Sequence, residues 1–287
     1  MDLRQLRYFL AVAEELHFGR AAEQLGIAQP PLTQTIQKLE RELGCQLLLR
    51  GRQTQLTEAG AKLVDEARQV LEQAEHAMQA TRRVAYGEAG ELRVGVPPSV
   101  MLTKLPAAIR KYRQRYPGVT FSLREMGTSA IEQALLNRSI DLGFLRETQG
   151  PLSLRSDLFV TEHLLAVLPA AHPLAKQKTL RLQALRKEPF VFFPRRIGPA
   201  FYDVLLGECG DAGFVPNVVQ EATQWQTVIS LVEAGLGVTI APACVEKFGW
   251  PGVVYRRLPG KGTRVYACQH KEGPAAAANF LAMAERS

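Results

Sequence analysis

The chain has 287 residues, of which 46% are apolar and 22% are charged, and its net charge is +7. This length exceeds one ordinary domain, and the apolar content excludes a disordered chain. Residues 1–60 carry seven basic and seven acidic side chains, whereas residues 91–287 carry 24 and 16. The positive excess therefore belongs to the C-terminal part, where it indicates solvated surface and an attraction for a small anion.

No segment reads as a targeting or membrane element. The first residues, MDLRQLRYF, lack the apolar stretch of a secretory signal, and no apolar run is long enough to span a bilayer.

The four cysteines are isolated in the sequence, without CxxC or metal-ligand spacing. We expect reduced thiols in a cytoplasmic protein. A redox switch at Cys209, in the glycine-rich stretch GECGDAG, is the alternative because that stretch is expected to be exposed.

The first sixty residues show the spacing of a helix-turn-helix. One apolar helix face is formed by Leu3, Leu6, Phe9, Leu10 and Ala13. A second helix fits residues 19–25, and Gly26 follows at a helix end. A third helix opens at Gln29-Pro30-Pro31, because prolines are tolerated in a first turn whose N–H groups have no partner. Its apolar face is formed by Leu32, Ile36, Leu39 and Leu43.

The other face of the third helix is polar, with Gln29, Thr33, Gln34, Gln37 and Lys38. Gln and Thr side chains suit the base edges of a DNA major groove. A plain helical hairpin with a solvated face is the alternative. The next stretch, LLLRGRQTQLT, reads as a short hairpin with Arg50 and Arg52 at its tip, where they would reach phosphates.

The segment LRQLRYFLAVAEELHFGRAAEQLGIAQPPLTQTIQKLERELGCQLLLRGRQTQLTEAG resembles, without gaps, the N-terminal domain of LysR-type transcriptional regulators. The variant AQPPLTQTIQ is most similar to the subgroup that senses aromatic-degradation intermediates such as muconate. The resemblance implies a winged helix-turn-helix. It implies DNA contacts by Gln29, Pro30, Pro31, Thr33, Gln34, Lys38, Arg50 and Arg52. Many members carry Ser-Arg where this chain has Thr33-Gln34, so the DNA sequence preference is left open.

Residues 57–90 predict a long connecting helix without proline, with Thr57 as its N-cap. Its apolar positions repeat at heptad spacing: Leu63, Ala67, Val70, Ala74, Ala77, Thr81 and Val84, beside Val64, Leu71, Met78 and Ala85. An isolated helix of this kind is marginal, so pairing with a second copy is expected. A helix folded back on its own domain is the alternative. A dimer predicts a roughly palindromic operator, and the resemblance implies assembly to a homotetramer.

From Glu91 onward, strands and helices alternate as in a parallel sheet with helical crossovers. We predict an α/β domain of two lobes over residues 89–287, after a DNA-binding domain at 1–58 and a linker helix at 59–88. The resemblance implies lobes similar to periplasmic solute-binding proteins. Ligands bind such folds beyond the carboxyl ends of strands.

Two hydroxyls match that position, because Ser99 and Thr128 each follow a predicted strand and head a helix. Together with free backbone N–H groups they predict a carboxylate site. A simple N-cap is the alternative for each hydroxyl. By resemblance, Arg146, Pro199 and Phe201 are further effector-binding candidates, and a surface ion pair is the alternative for Arg146.

No catalytic constellation accompanies these residues. Ser99 lacks a GxSxG context, and the chain holds no dinucleotide, P-loop or zinc motif, so no cofactor or metal is expected. We predict a transcriptional regulator that binds double-stranded DNA and a small, anionic effector. A two-lobe α/β enzyme and a ligand-independent DNA-binding protein are the alternatives.

Overall fold

The computed structural model describes residues 1–49, 51, 54–148 and 150–285, which form two compact units, Met1–Arg82 and Arg83–Ser287. The first unit contains the predicted winged helix-turn-helix. Its elements are α1 (Leu3–Glu15), α2 (Phe18–Gln24), α3 (Gln29–Leu43), β1 (Leu48–Leu49), β2 (Gln55–Leu56) and the start of α4 (Glu58–Ala85). Within the described residues, no helix combines the length and apolarity needed to span a membrane.

Prolines explain how α3 begins without a side-chain cap. Its N-cap residue is Ala28, which makes no side-chain hydrogen bond to the first turn. Pro30 and Pro31 remove two of the N–H groups that a cap would otherwise satisfy. The lack of a capping side chain at Ala28 therefore costs this helix little.

The hairpin is attached to α3 by one carboxylate. Glu40 Oε1 accepts hydrogen bonds from the backbone N–H groups of Leu47 and Leu48 at 2.9 and 3.2 Å. Leu47 and Leu48 are buried against Leu32 and Leu39 of α3.

The predicted cap of α4 is confirmed, because Gly60 N donates to Thr57 Oγ1 at 2.9 Å.

The second unit holds a five-stranded sheet in its first lobe and two smaller sheets, of three and two strands, in its second lobe. The elements of the first sheet and its helices are β3 (Ala89–Val96), α5 (Leu105–Arg115), β4 (Gly118–Glu125), α6 (Thr128–Leu136), β5 (Leu142–Arg146), β6 (Leu154–Glu162), β12 (Thr263–His270) and α9 (Ala275–Glu285). The strand order is β4-β3-β5-β12-β6. β3 runs parallel to β4 and β5, whereas β12 runs antiparallel to β5 and β6.

The second lobe is built on shorter strands. Its elements are β7 (Leu164–Pro169), β8 (Pro189–Phe192), α7 (Pro199–Asp211), β9 (Asn217–Glu221), α8 (Trp225–Glu233), β10 (Thr239–Pro242) and β11 (Val253–Arg257). β7 pairs antiparallel with β10 and β11, and β8 pairs parallel with β9. A parallel bridge from Phe190 to Val238 joins the two strand sets.

Three expectations for this unit are wrong. The predicted parallel pairing is confirmed for β3, β4 and β5, but the expectation of parallel sheets throughout is wrong, because β12 runs antiparallel to β5 and β6, and β7 runs antiparallel to β10 and β11. The edge strands β6 and β11 were not predicted. The helix expected to begin at Ser99 begins at Leu105, after a short 3₁₀ helix, Pro98–Leu102. Cys209 is fully buried in α7, and burial raises the pKa of its thiol to about 12, so the expected exposure of that cysteine is wrong.

Candidate functional site

One candidate site is the solvent-facing side of α3. Leu32, Ile36 and Leu39 are buried, so the helix presents its other side to solvent. The exposed residues there include Gln29, Pro30, Pro31, Gln34 and Lys38, with Thr33 half-buried. Arg50 and Arg52, predicted at the hairpin tip, lie outside the described residues.

The side chains on this face differ in how they are already engaged. Thr33 Oγ1 donates to Gln29 O at 3.1 Å, so its hydroxyl is left to act as an acceptor. Lys38 Nζ lies 3.8 Å from Glu42 Oε1. Gln34 makes no side-chain hydrogen bond within the described part of the chain, and its amide keeps both donors and its acceptor available. Arg41 was not among the DNA-contacting residues predicted from the sequence. It is also exposed, one helical turn after Lys38.

A second candidate site is a cavity of about 520 Å³ in the second unit, which we call the effector cleft. It lies beyond the carboxyl ends of β3, β4, β5, β8 and β9, where α/β folds bind ligands. Its lining residues are Pro97, Pro98, Ser99, Glu125, Met126, Gly127, Thr128, Ala130, Arg146, Phe193, Arg196, Ile197, Gly198, Phe201, Thr223, Gln224 and Trp225.

The predicted hydroxyls both line the effector cleft. Ser99 and Thr128 are buried, and no hydrogen bond joins either hydroxyl to another described residue. The N-cap alternative for them is wrong, because Gly127 is the N-cap residue of α6 and Ser99 lies within the 3₁₀ helix that follows Pro97. Thr128 opens α6, whose first-turn N–H groups carry the positive end of the helix dipole.

Arg146 also lines the effector cleft, at the end of β5 rather than after it. Its side chain is 3% exposed and pairs with Glu162 at 2.8 Å, so the alternative of a surface ion pair is wrong. Its Nη1 donates to Thr263 Oγ1 at 3.3 Å, and its Nη2 lies 4.0 Å from Cys244 Sγ. Burial raises the pKa of the Cys244 thiol to about 12, so this neighbour is neutral.

One wall of the effector cleft is aromatic. Phe193 and Phe201 stack with ring centroids 5.5 Å apart, and Trp225 meets Phe193 edge-on at 5.9 Å. The Arg146 guanidinium lies 5.3 Å from the Phe201 centroid. Pro199 does not line the cleft, although it begins α7 next to Gly198, which does. The cleft therefore combines neutral donors, a buried ion pair and an apolar face.

Sequence reasoning missed most residues of the second lobe that line the effector cleft. Thr223 and Gln224 follow β9 and lie just before α8, the same position that identified Ser99 and Thr128. Phe193 and Arg196 lie in the connection between β8 and α7, where no periodic pattern marks them.

Comparisons with known proteins find matches for both parts of the chain. Residues 3–61 match the profile of the bacterial regulatory helix-turn-helix proteins of the lysR family, and residues 85–287 match the LysR substrate binding domain. The chain is 40% identical over 283 residues to the HTH-type transcriptional regulator YnfL of Escherichia coli strain K12, covering 96% of this chain and 95% of that protein. It is 39% identical over 259 residues to the HTH-type transcriptional regulator AlsR of Bacillus subtilis strain 168, covering 90% and 86%.

Among solved structures, full-length CbnR in complex with its target DNA superposes with a TM-score of 0.79 at 30% identity, over 100% of this chain and 99% of that one. Three observations point to the same family: the order of the two matched domains, the mixed α/β fold and the similarity over the full length of the chain. The chain belongs to the LysR family of DNA-binding transcriptional regulators.

Proposed function

We propose that this regulator responds to a small carboxylate held in the effector cleft. The observation that carries the proposal is that Ser99 and Thr128 both line the effector cleft beside the first turn of α6, and that neither hydroxyl makes a hydrogen bond to a described residue. A carboxylate in the effector cleft would accept a hydrogen bond from each hydroxyl while it meets the positive end of the helix dipole. The aromatic wall of Phe193, Phe201 and Trp225 supports an effector with an apolar body.

Replacing both hydroxyls is expected to abolish the response to effector and to leave operator binding intact. In the variant Ser99→Ala/Thr128→Ala, a carboxylate loses two hydrogen bonds to a charged group, each of about 1.5–3 kcal/mol. Thermal unfolding of the full chain, screened against small carboxylates, measures this. For the wild-type protein, a ligand at 100 times its Kd adds about 2.7 kcal/mol of stability.

The matched control is Ser230→Ala, a half-buried serine of α8 that does not line the effector cleft. It is expected to keep the wild-type ligand shift. An equal shift in the double variant and the wild type would refute the assignment of the two hydroxyls. The absence of any shift of the wild type by all the acids would refute the carboxylate itself.

We also propose the residue roles on DNA. Gln29, Pro31, Thr33, Gln34 and Lys38 face the major groove, Pro30 is part of the same DNA-binding surface, and Arg50 and Arg52 contact the DNA backbone. The support is the exposure of the α3 residues opposite the buried Leu32 and Ile36. A recognition helix reads bases mainly with residues of its N-terminal half.

Gln34→Ala is expected to weaken operator binding by about 1–3 kcal/mol while non-specific binding is unchanged, since a bidentate amide contact to a base is worth that amount. Fluorescence anisotropy with operator and scrambled duplexes at the same salt concentration measures both. Gln24→Ala, the same change at an exposed position of α2, is the control. Equal losses on the two duplexes would contradict base readout by Gln34.

The partner of α4 is a second copy of the chain in this proposal, which gives a dimer on a roughly palindromic operator and a homotetramer of two such dimers. Of the α4 residues, Gly60 and Ala67 are buried, whereas Val70, Met78 and Val84 of the heptad face are exposed. An exposed apolar face on a helix of 28 residues favours pairing. The corresponding domain limits are 1–58, 59–88 and 89–287.

A further inference from the structure

The charge of Arg146 is already neutralised inside the protein. Glu162 pairs with it at 2.8 Å, and the two side chains are 8% and 3% exposed. Glu162 is held in place by a second contact, because Cys244 N donates to its other carboxylate oxygen at 2.9 Å. Buried ion pairs are broken only at a cost of several kcal/mol, so Glu162 is a fixed part of the Arg146 environment.

Arg146 nevertheless keeps one donor without an acceptor. Its Nε is buried and makes no hydrogen bond to any described residue, although Nη1 and Nη2 are engaged with Thr263 and Glu162. A buried N–H of this kind costs about 1–3 kcal/mol while it stays unpaired. Arg146 lines the effector cleft, so a bound molecule that contacts this side chain is a candidate source of the missing acceptor.

The remaining charges of the effector cleft also cancel. Glu125 and Arg196 are its other charged lining residues, and both are exposed. An anion must therefore rely on the neutral donors Ser99 and Thr128 and on the N-terminus of α6, which is equivalent to about half a positive charge. That arrangement suits one carboxylate.

We infer that the effector carries a single carboxylate and, at the end that meets Arg146, a neutral acceptor such as an amide, carbonyl or hydroxyl oxygen. Glu162 is the specificity-determining residue, because a second carboxylate at Arg146 would place two negative charges beside one buried positive charge. This inference rests on the proposed carboxylate cleft, and it names the class of acid that the cleft selects.

Isosteric pairs of acids test the inference on the unmodified full-length protein. The probes are 4-carbamoylbenzoate against terephthalate, and succinamate against succinate, titrated by calorimetry at pH 7.5. Within each pair the shape is the same, and one amide replaces one carboxylate. For at least one pair, the Kd of the monocarboxylate is expected to be at least ten-fold lower than that of the dicarboxylate.

Glu162→Gln tests the cause of that preference. It removes the charge of Glu162 but keeps an oxygen acceptor. The Kd of the dicarboxylate divided by the Kd of its monocarboxylate partner is therefore expected to fall at least ten-fold. The control is Glu272→Gln, an 83% exposed position outside the cleft, which makes the same change in net charge. It is expected to keep the wild-type ratio.

The outcomes separate the inference from the proposed function. A dicarboxylate that binds the wild-type protein as tightly as its amide, or a ratio unchanged in a folded Glu162→Gln, overturns the inference and leaves the carboxylate cleft standing. Should neither pair bind the wild type at all, the carboxylate cleft falls and the inference falls with it. The wild-type comparison needs no variant, so poor folding of Glu162→Gln does not remove the test.

Discussion

Arg146→Leu is expected to lower the free energy of unfolding of the second unit by about 3–5 kcal/mol, because it leaves the buried carboxylate of Glu162 without a counter-charge. The double variant Arg146→Leu/Glu162→Leu is expected to regain most of that loss, since removal of both charges leaves no uncompensated ion. Cys244 N then loses its acceptor, so recovery is incomplete. Neither variant is expected to bind effector like the wild type, because the Nε donor is absent from both.

Urea denaturation followed by tryptophan fluorescence measures this directly, because Trp225 and Trp250, the two tryptophans of the chain, both lie in the second unit. The matched control is Arg195→Leu, which breaks a pair with Asp203 of similar geometry, 2.8–2.9 Å long, but exposed. A much smaller loss is expected there, since water solvates the freed carboxylate. Equal losses at the two arginines would contradict the role assigned to burial.

The two lobes differ in how far sequence reasoning reached the effector cleft. Ser99 and Thr128 were found because each follows a strand whose apolar run is clear, and strand ends define the binding edge. The residues around them could not be predicted. Glu162 lies on the edge strand β6, and the sequence of that strand, LRSDLFVTE, has no apolar pattern that distinguishes it from a loop. Thr263, which also contacts Arg146, is 117 positions away in sequence.

Edge strands and return strands account for the errors in topology for the same reason. β6 and β11 each have one unpaired side, so their sequences carry polar residues that a buried strand would not. That β12 enters the first lobe antiparallel depends on the path of the chain through the second lobe, which residue spacing does not encode. By contrast α3 was found with its first residue, because two consecutive prolines leave few places where a helix can begin.

Val70→Glu/Met78→Glu is expected to convert the proposed dimer into a monomer and to weaken operator binding by about 10²- to 10⁴-fold, the usual gain from linking two binding modules. Val70 is 42% and Met78 48% exposed on α4 in a single copy of the chain, so a single copy accommodates both changes. Glu is a better helix former than Val, so α4 itself is retained. In a pair of copies, four carboxylates would be placed in one apolar seam, and their desolvation opposes association.

Light scattering coupled to size-exclusion chromatography measures the mass of the assembly, and anisotropy on full and half operators measures the affinity. Gln69→Glu/Gln79→Glu is the control, because it makes the same charge change on the opposite, exposed face of α4 and is expected to keep both the mass and the affinity. The half operator separates the two causes of a loss: the seam variant is expected to bind it as the wild-type protomer does, since the α3 surface is untouched. If Val70→Glu/Met78→Glu keeps the wild-type mass, the heptad face of α4 is not where two copies meet. If the variant is a monomer but keeps the wild-type affinity for the full operator, dimer formation does not cause the preference for a palindromic operator.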